Sequence, residues 1–213
     1  MKPDLLNGEV RPTLIKMTLP MMLGIVSLML FNVADSYFVS QLGTEQLAAL
    51  GFTFPVSFTV ISLSIGLSVG TSATIARLIG SGDSDGARQL TTENLLLTSL
   101  LMALIASLSV MFIDPLFRLL GAGDALMPYI HSHMSVWFFG SVFHVLIMVS
   151  NSSLRASVDT RTPAMLMGFS SVMNLLLDPL LIFGWGPVPA LGIQGAAIAS
   201  VIAWGIAAVA ALA

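Results

Sequence analysis

Six long apolar stretches, separated by short polar loops, constrain this chain more than any other feature. Their approximate limits are residues 14–38, 50–76, 90–113, 131–154, 163–185 and 192–213. An α-helix needs about 20 mostly apolar residues to cross the hydrocarbon core of a bilayer. Transmembrane β-strands are shorter and alternate in polarity. We therefore predict an all-α membrane protein, with residues 1–213 forming one domain of six transmembrane helices, here called segments 1 to 6.

The composition excludes several classes of protein and site. Only 9% of the 213 residues are charged and 56% are hydrophobic, whereas a soluble domain carries roughly 25% charged residues. A net charge of −3 argues against a nucleic-acid partner. Cysteine is absent, which excludes disulfides and thiolate chemistry. His131 and His133 are two residues apart and point in different directions on a helix, so we expect no histidine metal site. We also expect no cofactor.

The distribution of basic residues predicts the orientation. Loops that face the cytoplasm are enriched in Lys and Arg. With six spans, seven of the eight basic residues fall on the side of the N-terminus, and only Arg118 falls on the other side. The seven are Lys2, Arg11, Lys16, Arg77, Arg88, Arg155 and Arg161. We therefore expect a multi-pass protein of the cytoplasmic (inner) membrane with its N-terminus in the cytoplasm.

The connections contain turn-forming residues where this topology needs them. "GSGDSDG" (80–86) and "GWGPVPALG" (184–192) are rich in residues that tolerate left-handed backbone. The longest outer connection, "IDPLFRLLGAGDALMPY" (113–129), is expected to lie along the membrane interface. Segment 6 ends "IAWGIAAVAALA", with no polar group to anchor it at an interface. From this we expect the sequence to be part of a longer protein.

Two carboxylates lie within the apolar segments. Asp35 is the only formally charged residue between Met17 and Phe38. Asp178 lies seven residues before Trp185, or about 10 Å inside that end of segment 5 at 1.5 Å per residue. A charge at the centre of a membrane helix is unfavourable by roughly 2.5–3.5 kcal/mol and usually faces a cavity or a partner. Asp35 is near the end of segment 1, so an alternative for it is that its side chain extends to the membrane–water interface.

Polar neighbours accompany both carboxylates. Asn32 and Asp35 are three residues apart and Asn174 and Asp178 are four apart, so each pair shares a helix face. Ser200, about eight residues into segment 6, reaches a comparable depth. Carboxylate, amide and hydroxyl oxygens suit a hard cation, and a carboxyl group can instead hold a proton. If these residues meet, they would bind H⁺ or Na⁺, and the same oxygens serve either ion.

Other features concern bending and packing. Pro20 removes a backbone hydrogen bond within segment 1, so it is either a hinge or a static kink.

Small residues at helical spacing let membrane helices approach closely. Such stripes occur in segment 2 around Gly66 and Gly70, and in segment 6 from Gly195 through Ala199 and Ala203. We expect both stripes to serve helix packing.

Several motifs, in this order, resemble those of the multidrug and toxic compound extrusion (MATE) family. They follow the early proline of segment 1 and extend over most of the chain. One departure is Val158, which stands where the family usually has glycine. The motifs are "NVADSYFVSQLGTEQLAALG" (32–51), "ARLIGSGDSDGARQL" (76–90), "LRASVDTRTPAM" (154–165), "NLLLDPLLIFG" (174–184) and "LGIQGAAIAS" (191–200).

The resemblance implies a fold, an activity and site residues. Members have two six-helix lobes around a cavity, so this chain corresponds to the N-terminal lobe, and the C-terminal lobe is absent from it. They are antiporters that export amphipathic, often cationic, compounds in exchange for H⁺ or Na⁺. The resemblance assigns Asp35, Asn174 and Asp178 to cation coupling, as metal ligands only if the ion is Na⁺. Asn151 and Ser200 match positions near that cluster.

The sequence therefore predicts one lobe of a cation-coupled multidrug efflux antiporter that works by alternating access, not an enzyme. Its expected partners are small amphipathic or cationic substrates, the lipid bilayer, and a missing C-terminal lobe or a second copy. One alternative is a flippase of lipid-linked precursors, which shares the two-lobed architecture. Others are an intramembrane enzyme that uses an aspartic dyad, and a half-transporter or structural subunit that needs a second lobe.

Overall fold

The computed structural model describes residues 10–157, 159 and 161–212. Lys2 and Val158, used above, lie outside the described residues. Six of the helices within these ranges are long and apolar enough to cross a membrane, which confirms the predicted number of spans. The described helices, in chain order, are α1 (Val10–Ser40), α2 (Thr44–Gly80), α3 (Ser84–Met111), α4 (Ile113–Leu119), α5 (Met127–Ala156), α6 (Arg161–Phe183) and α7 (Ile193–Leu212).

Most helices extend beyond the predicted limits. α2 has 37 residues, or about 55 Å at 1.5 Å per residue, which exceeds the roughly 30 Å of a bilayer core. Hydropathy marks only the part of a helix that crosses the membrane, whereas capping groups set its ends. The α3 helix begins six residues before the predicted limit, where the Asp83 carboxylate accepts a hydrogen bond from the Gly86 N–H at 2.9 Å.

The connections follow the turn chemistry read from the sequence. Gly82 and Gly184 have φ angles of 84° and 77°, in the left-handed region that glycine favours. The α4 helix forms within the long connection at 113–129. Ile113 and Phe117 are buried, while Arg118 forms an exposed ion pair with Asp124 at 2.8 Å. This connection is therefore partly helical and packs one face on the bundle.

The helices α5 and α7 form the centre of the lobe and are its most buried spans. Ala199, Ala203 and Ala207 of α7 are fully buried. A Cβ on Gly195 would lie 2.4 Å from the Leu181 carbonyl oxygen, so α7 approaches α6 at van der Waals contact there. The packing role predicted for the small-residue stripe of segment 6 is confirmed.

The small-residue stripe on α2 behaves differently. A Cβ placed on Gly66 or Gly70 would meet no other described atom within 4 Å. The prediction that this stripe packs helices together is wrong for the described part of the chain. Periodicity identifies a smooth helix face, but it does not reveal which neighbour the face contacts.

The α1 helix packs extensively along α6, and the two run in the same direction. Gly24 lies against Ala164 and Met167, where a Cβ would be 3.5 Å from the Ala164 Cα. Further along, the Ser171 hydroxyl donates to the Ser27 carbonyl at 2.8 Å. We call the end of the lobe where α1 and α6 begin the basic end, and the end where they finish the far end.

Candidate functional site

Four polar residues on four helices lie at one depth. Asp35 is five residues before the end of α1, and Asp178 is five before the end of α6. Ser200 is seven residues into α7, and His133 is six into α5. At 1.5 Å per residue, all four lie roughly 8–11 Å inside the far end. Helix length and direction therefore bring these side chains to a common level.

The α6 and α7 helices supply a hydrogen-bonded group at this level. The Asn174 Nδ2 donates to the Asp178 Oδ1 at 3.1 Å and to the Ser200 Oγ at 3.4 Å. Asn174 and Asp178 are fully buried, and Ser200 is 4% exposed. The four-residue spacing of Asn174 and Asp178 places both on the α6 face that meets α7. The structure thus links three of the predicted residues directly.

Asp35 approaches this group from α1. It is half-buried and lines a cavity of about 110 Å³ together with Ser200. Ser200 in turn accepts a hydrogen bond from Asn174, which also donates to Asp178, so the cavity adjoins the hydrogen-bonded group. The structure therefore brings Asp35, Asn174, Asp178 and Ser200 together.

Three oxygen atoms of this cluster lack partners. The Asp35 Oδ1, the Asn174 Oδ1 and the Asp178 Oδ2 are buried and accept no hydrogen bond from any described residue. A buried acceptor without a partner is unfavourable by about 1–3 kcal/mol, and more when it is charged. Oxygen donors fit a hard cation, and protonation would also neutralise a carboxylate. The described residues contain no group of three or more His, Cys, Asp or Glu side chains suited to a metal ion.

Aromatic side chains form much of the cavity wall. Phe31 stacks on Trp204 with ring centroids 6.3 Å apart, and Trp137 meets the same indole edge-on at 6.0 Å. His133 lines the cavity too, and its Nδ1 lies 3.2 Å from the Ile193 carbonyl oxygen. Sequence reasoning missed His133 as a wall residue because the histidines were weighed only as metal ligands. The predicted start of this segment at residue 131 also placed His133 only two residues inside it, whereas α5 begins at Met127.

The other two predicted residues, Asn32 and Asn151, form no hydrogen bond with the cluster among the described residues. Asn32 also lines the cavity, but it is exposed and its Nδ2 donates to the Leu28 carbonyl of its own helix at 2.8 Å. Asn151 is fully buried, and neither of its side-chain polar atoms has a hydrogen-bond partner among the described residues. It lies 18 residues beyond His133 on α5, about 27 Å along the axis. The structure does not bring Asn151 to the cluster.

Pro20 lies within α1, which remains helical on both sides of it. It is fifteen residues from Asp35, about 22 Å along the helix axis. Pro20 therefore makes no direct contribution to the polar cluster, and its role as a hinge stays a prediction.

Comparison with known proteins gives consistent matches. The sequence characteristic of the MatE family matches residues 20–180. A FAD transporter of Shewanella oneidensis is 48% identical, with the match covering 95% of this chain and 45% of that protein. The probable multidrug resistance protein NorM of Thermotoga maritima is 30% identical, over 91% of this chain and 42% of that protein.

A solved structure extends the comparison to the fold. The crystal structure of the Vibrio cholerae MATE transporter VcmN in its bent form is similar, with a TM-score of 0.88 and 38% sequence identity. The similarity covers 93% of this chain and 44% of VcmN. The chain thus spans a little under half the length of the relatives it matches, as one lobe of a two-lobed fold would.

Proposed function

The chain belongs to the multidrug and toxic compound extrusion family, and from that premise we propose that it is the N-terminal lobe of a cation-coupled efflux antiporter. Members of this family are transporters. The single observation that best supports cation coupling is the set of three buried, unpartnered oxygens on Asp35, Asn174 and Asp178. Such a set is stabilised when H⁺ or Na⁺ occupies it.

The proposed cycle follows from charge. Two ionised carboxylates near each other in an empty cluster would repel each other, so the empty cluster would favour either a bound cation or an arrangement that separates α1 from α6. Binding of H⁺ or Na⁺ at the cluster would remove this repulsion and let Asp35 approach Asp178. Alternation between the two arrangements would move α1 relative to the rest of the lobe, with Pro20 as the hinge candidate.

The same reasoning supports an orientation. Arg77, Arg88, Arg155 and Arg161 lie at or near the basic end, and positive residues favour the cytoplasmic side. The basic end would then face the cytoplasm and the far end the outside. Coupling ions would enter from outside, over the 8–11 Å that separate the cluster from the far end.

The proposed substrates are amphipathic cations, as the multidrug resistance names of several relatives suggest. The carboxylate of Asp35 at an aromatic-walled cavity suits them, because aromatic faces attract cations. A complete transport pathway would need the C-terminal lobe or a second copy of this one. A lipid-linked-precursor flippase stays an alternative, and lipid translocation in proteoliposomes would identify it.

Flavin adenine dinucleotide is a second candidate substrate. The observation that favours it is the 48% identity to a FAD transporter, which exceeds the 30% identity to the probable multidrug resistance protein. Phe31, Trp137 and Trp204 line the cavity, and aromatic rings of this kind stack on flat heterocycles. This candidate predicts export of an anionic substrate, in contrast to the first.

Transport in proteoliposomes tests both proposals. The full transporter is reconstituted with ethidium or FAD inside, and proton and sodium gradients are imposed separately. Asp35→Asn should lower gradient-driven export by roughly tenfold or more, because the neutral amide does not take up a proton and binds Na⁺ more weakly than a carboxylate does. Asp114→Asn, an exposed carboxylate at the far end, should leave export unchanged. Normal gradient-driven export by Asp35→Asn, with the protein correctly folded, would contradict cation coupling at this cluster.

A further inference from the structure

We propose that a groove between α1 and α6 at the basic end binds an anionic phospholipid from the bilayer. The groove consists of two cavities on either side of Ala164, which lines both. The larger has a volume of about 330 Å³ and is lined by Leu19, Pro20, Leu23, Ala164, Met165 and Arg161. The smaller has a volume of about 120 Å³ and contains Arg155 between Met21, Ile25 and Met167. Each cavity thus combines apolar walls with one guanidinium group.

Both guanidinium groups lack a partner within the described residues. Neither Arg155 nor Arg161 forms a side-chain hydrogen bond there, and the ion pair found in those residues joins Arg118 to Asp124 at the far end. The neighbouring carboxylate, Asp159, accepts hydrogen bonds from the Arg161 and Thr162 N–H groups and from the Thr162 hydroxyl, and so caps the start of α6. The arginine side chains are therefore available to an external anion.

The position of the groove matches a lipid headgroup. Arg155 is one residue from the end of α5, and Arg161 is the first residue of α6, so both lie at the edge of their spans. Basic pockets between membrane helices at that level bind anionic headgroups. Arginine suits phosphate because its planar guanidinium donates two parallel hydrogen bonds.

The apolar walls favour a lipid over a soluble phosphate. Leu19, Leu23 and Met165 are 58%, 61% and 66% exposed, and they continue from Arg161 into the part of the lobe that spans the membrane. An acyl chain would cover these side chains while its phosphate contacts Arg161, with Arg155 of the neighbouring cavity adding positive charge. A free phosphate would satisfy only the polar part of the groove. The chemistry therefore points to a phospholipid with net negative charge.

The contact between α1 and α6 explains why the groove exists. Gly24 brings the helices together at Ala164 and Met167, where a Cβ would be 3.0 Å from the Met167 Sδ. Larger side chains on either side of this contact hold the helix surfaces apart. A lipid in the larger cavity would also touch Pro20. The site requires only this packing and charge, and it does not depend on the transport proposal.

Native mass spectrometry of the purified transporter, combined with lipid titration in detergent, tests the site. Phosphatidylglycerol and phosphatidylcholine are titrated against wild type, Arg155→Gln, Arg161→Gln and the double variant. Each arginine near a membrane surface contributes about 1 kcal/mol to binding of anionic lipid. We therefore expect each single variant to weaken phosphatidylglycerol binding about fivefold. The double variant should weaken it roughly 25-fold.

Matched controls separate this groove from general surface charge. Arg77→Gln removes an exposed basic residue near the same end of the lobe, outside the two cavities, and should leave lipid affinity unchanged. Met165→Glu places a carboxylate on the exposed wall while it retains both arginines, so it should weaken binding even if the double variant does not fold.

Three results would overturn the proposal. One is equal phosphatidylglycerol affinity in wild type and in folded groove variants, including Met165→Glu. Another is equal affinity of wild type for phosphatidylcholine and phosphatidylglycerol. The third is displacement of phosphatidylglycerol by inorganic phosphate at equal concentration, which would identify a soluble anion as the ligand.

Discussion

The two ends of the α1–α6 pair carry ionisable side chains of opposite sign. At the far end, Asp35 and Asp178 lie at a similar depth, and neither has an ion-pair partner among the described residues. At the basic end, Arg155 and Arg161 flank the same helix pair and form no ion pair with any residue that the structure describes. On α6, Asp178 and Arg161 are 17 residues apart, or about 25 Å, too far for an ion pair. The proposals above assign a different ligand to each end: a cation to the far end and an anionic lipid to the basic end.

We expect the largest effect from a substitution that prevents α6 and α7 from packing against each other at the far end. In Gly195→Ala, the new methyl group would lie 2.4 Å from the Leu181 carbonyl oxygen, and a backbone atom cannot move away at low energy. We expect loss of the α6–α7 contact that holds Asn174 near Ser200, and little folded protein in size-exclusion profiles. Gly205→Ala on the same helix is the control, since no described atom lies within 4 Å of its Cβ position. Equal yields of the two variants would contradict this account of the far end.

A second prediction separates the two ends by their response to cations. Na⁺ or a lower pH should raise the melting temperature of the purified wild-type protein, because the cation binds only the folded cluster. Such binding stabilises by about 2.7 kcal/mol when the ligand is at 100 times its Kd. Asp178→Asn should lose this response to both ions. Asp85→Asn, an exposed carboxylate at the basic end, should keep it; the same loss in both variants would show that the response is not specific to the far end.

The smallest expected effect tests the boundary of the cluster. Ser200→Ala removes the Oγ that accepts from Asn174 at 3.4 Å. One hydrogen bond contributes about 1 kcal/mol, so the cation affinity from isothermal titration should fall roughly fivefold. Asn32→Ala is the matched variant, and it should change the affinity less than about twofold because the Asn32 amide bonds its own helix. The reverse order of effects would place Asn32 inside the site and Ser200 outside it.

Much of the lobe could be predicted from its sequence. The number and order of the spans follow from runs of about 20 apolar residues, and helix ends were less accurate because caps such as Asp83 lie in polar loops. The depth of Asp35, Asp178 and Ser200 was also accessible, since an α-helix rises by a constant 1.5 Å per residue. The pairing of Asn174 with Asp178 required only their four-residue spacing.

The sequence by itself determined that this chain forms six membrane helices and that two carboxylates lie at similar depth within them. Tertiary structure alone decided which polar groups meet. It brought Ser200 within hydrogen-bond distance of Asn174 and left Asn151 far from the cluster. It also put His133 and Trp204 on the cavity wall beside Asp35. It also left Arg155 and Arg161 beside an apolar groove. The physical reason is that hydropathy and helical rise define position along the membrane normal, whereas contact between helices depends on their rotation and choice of neighbour.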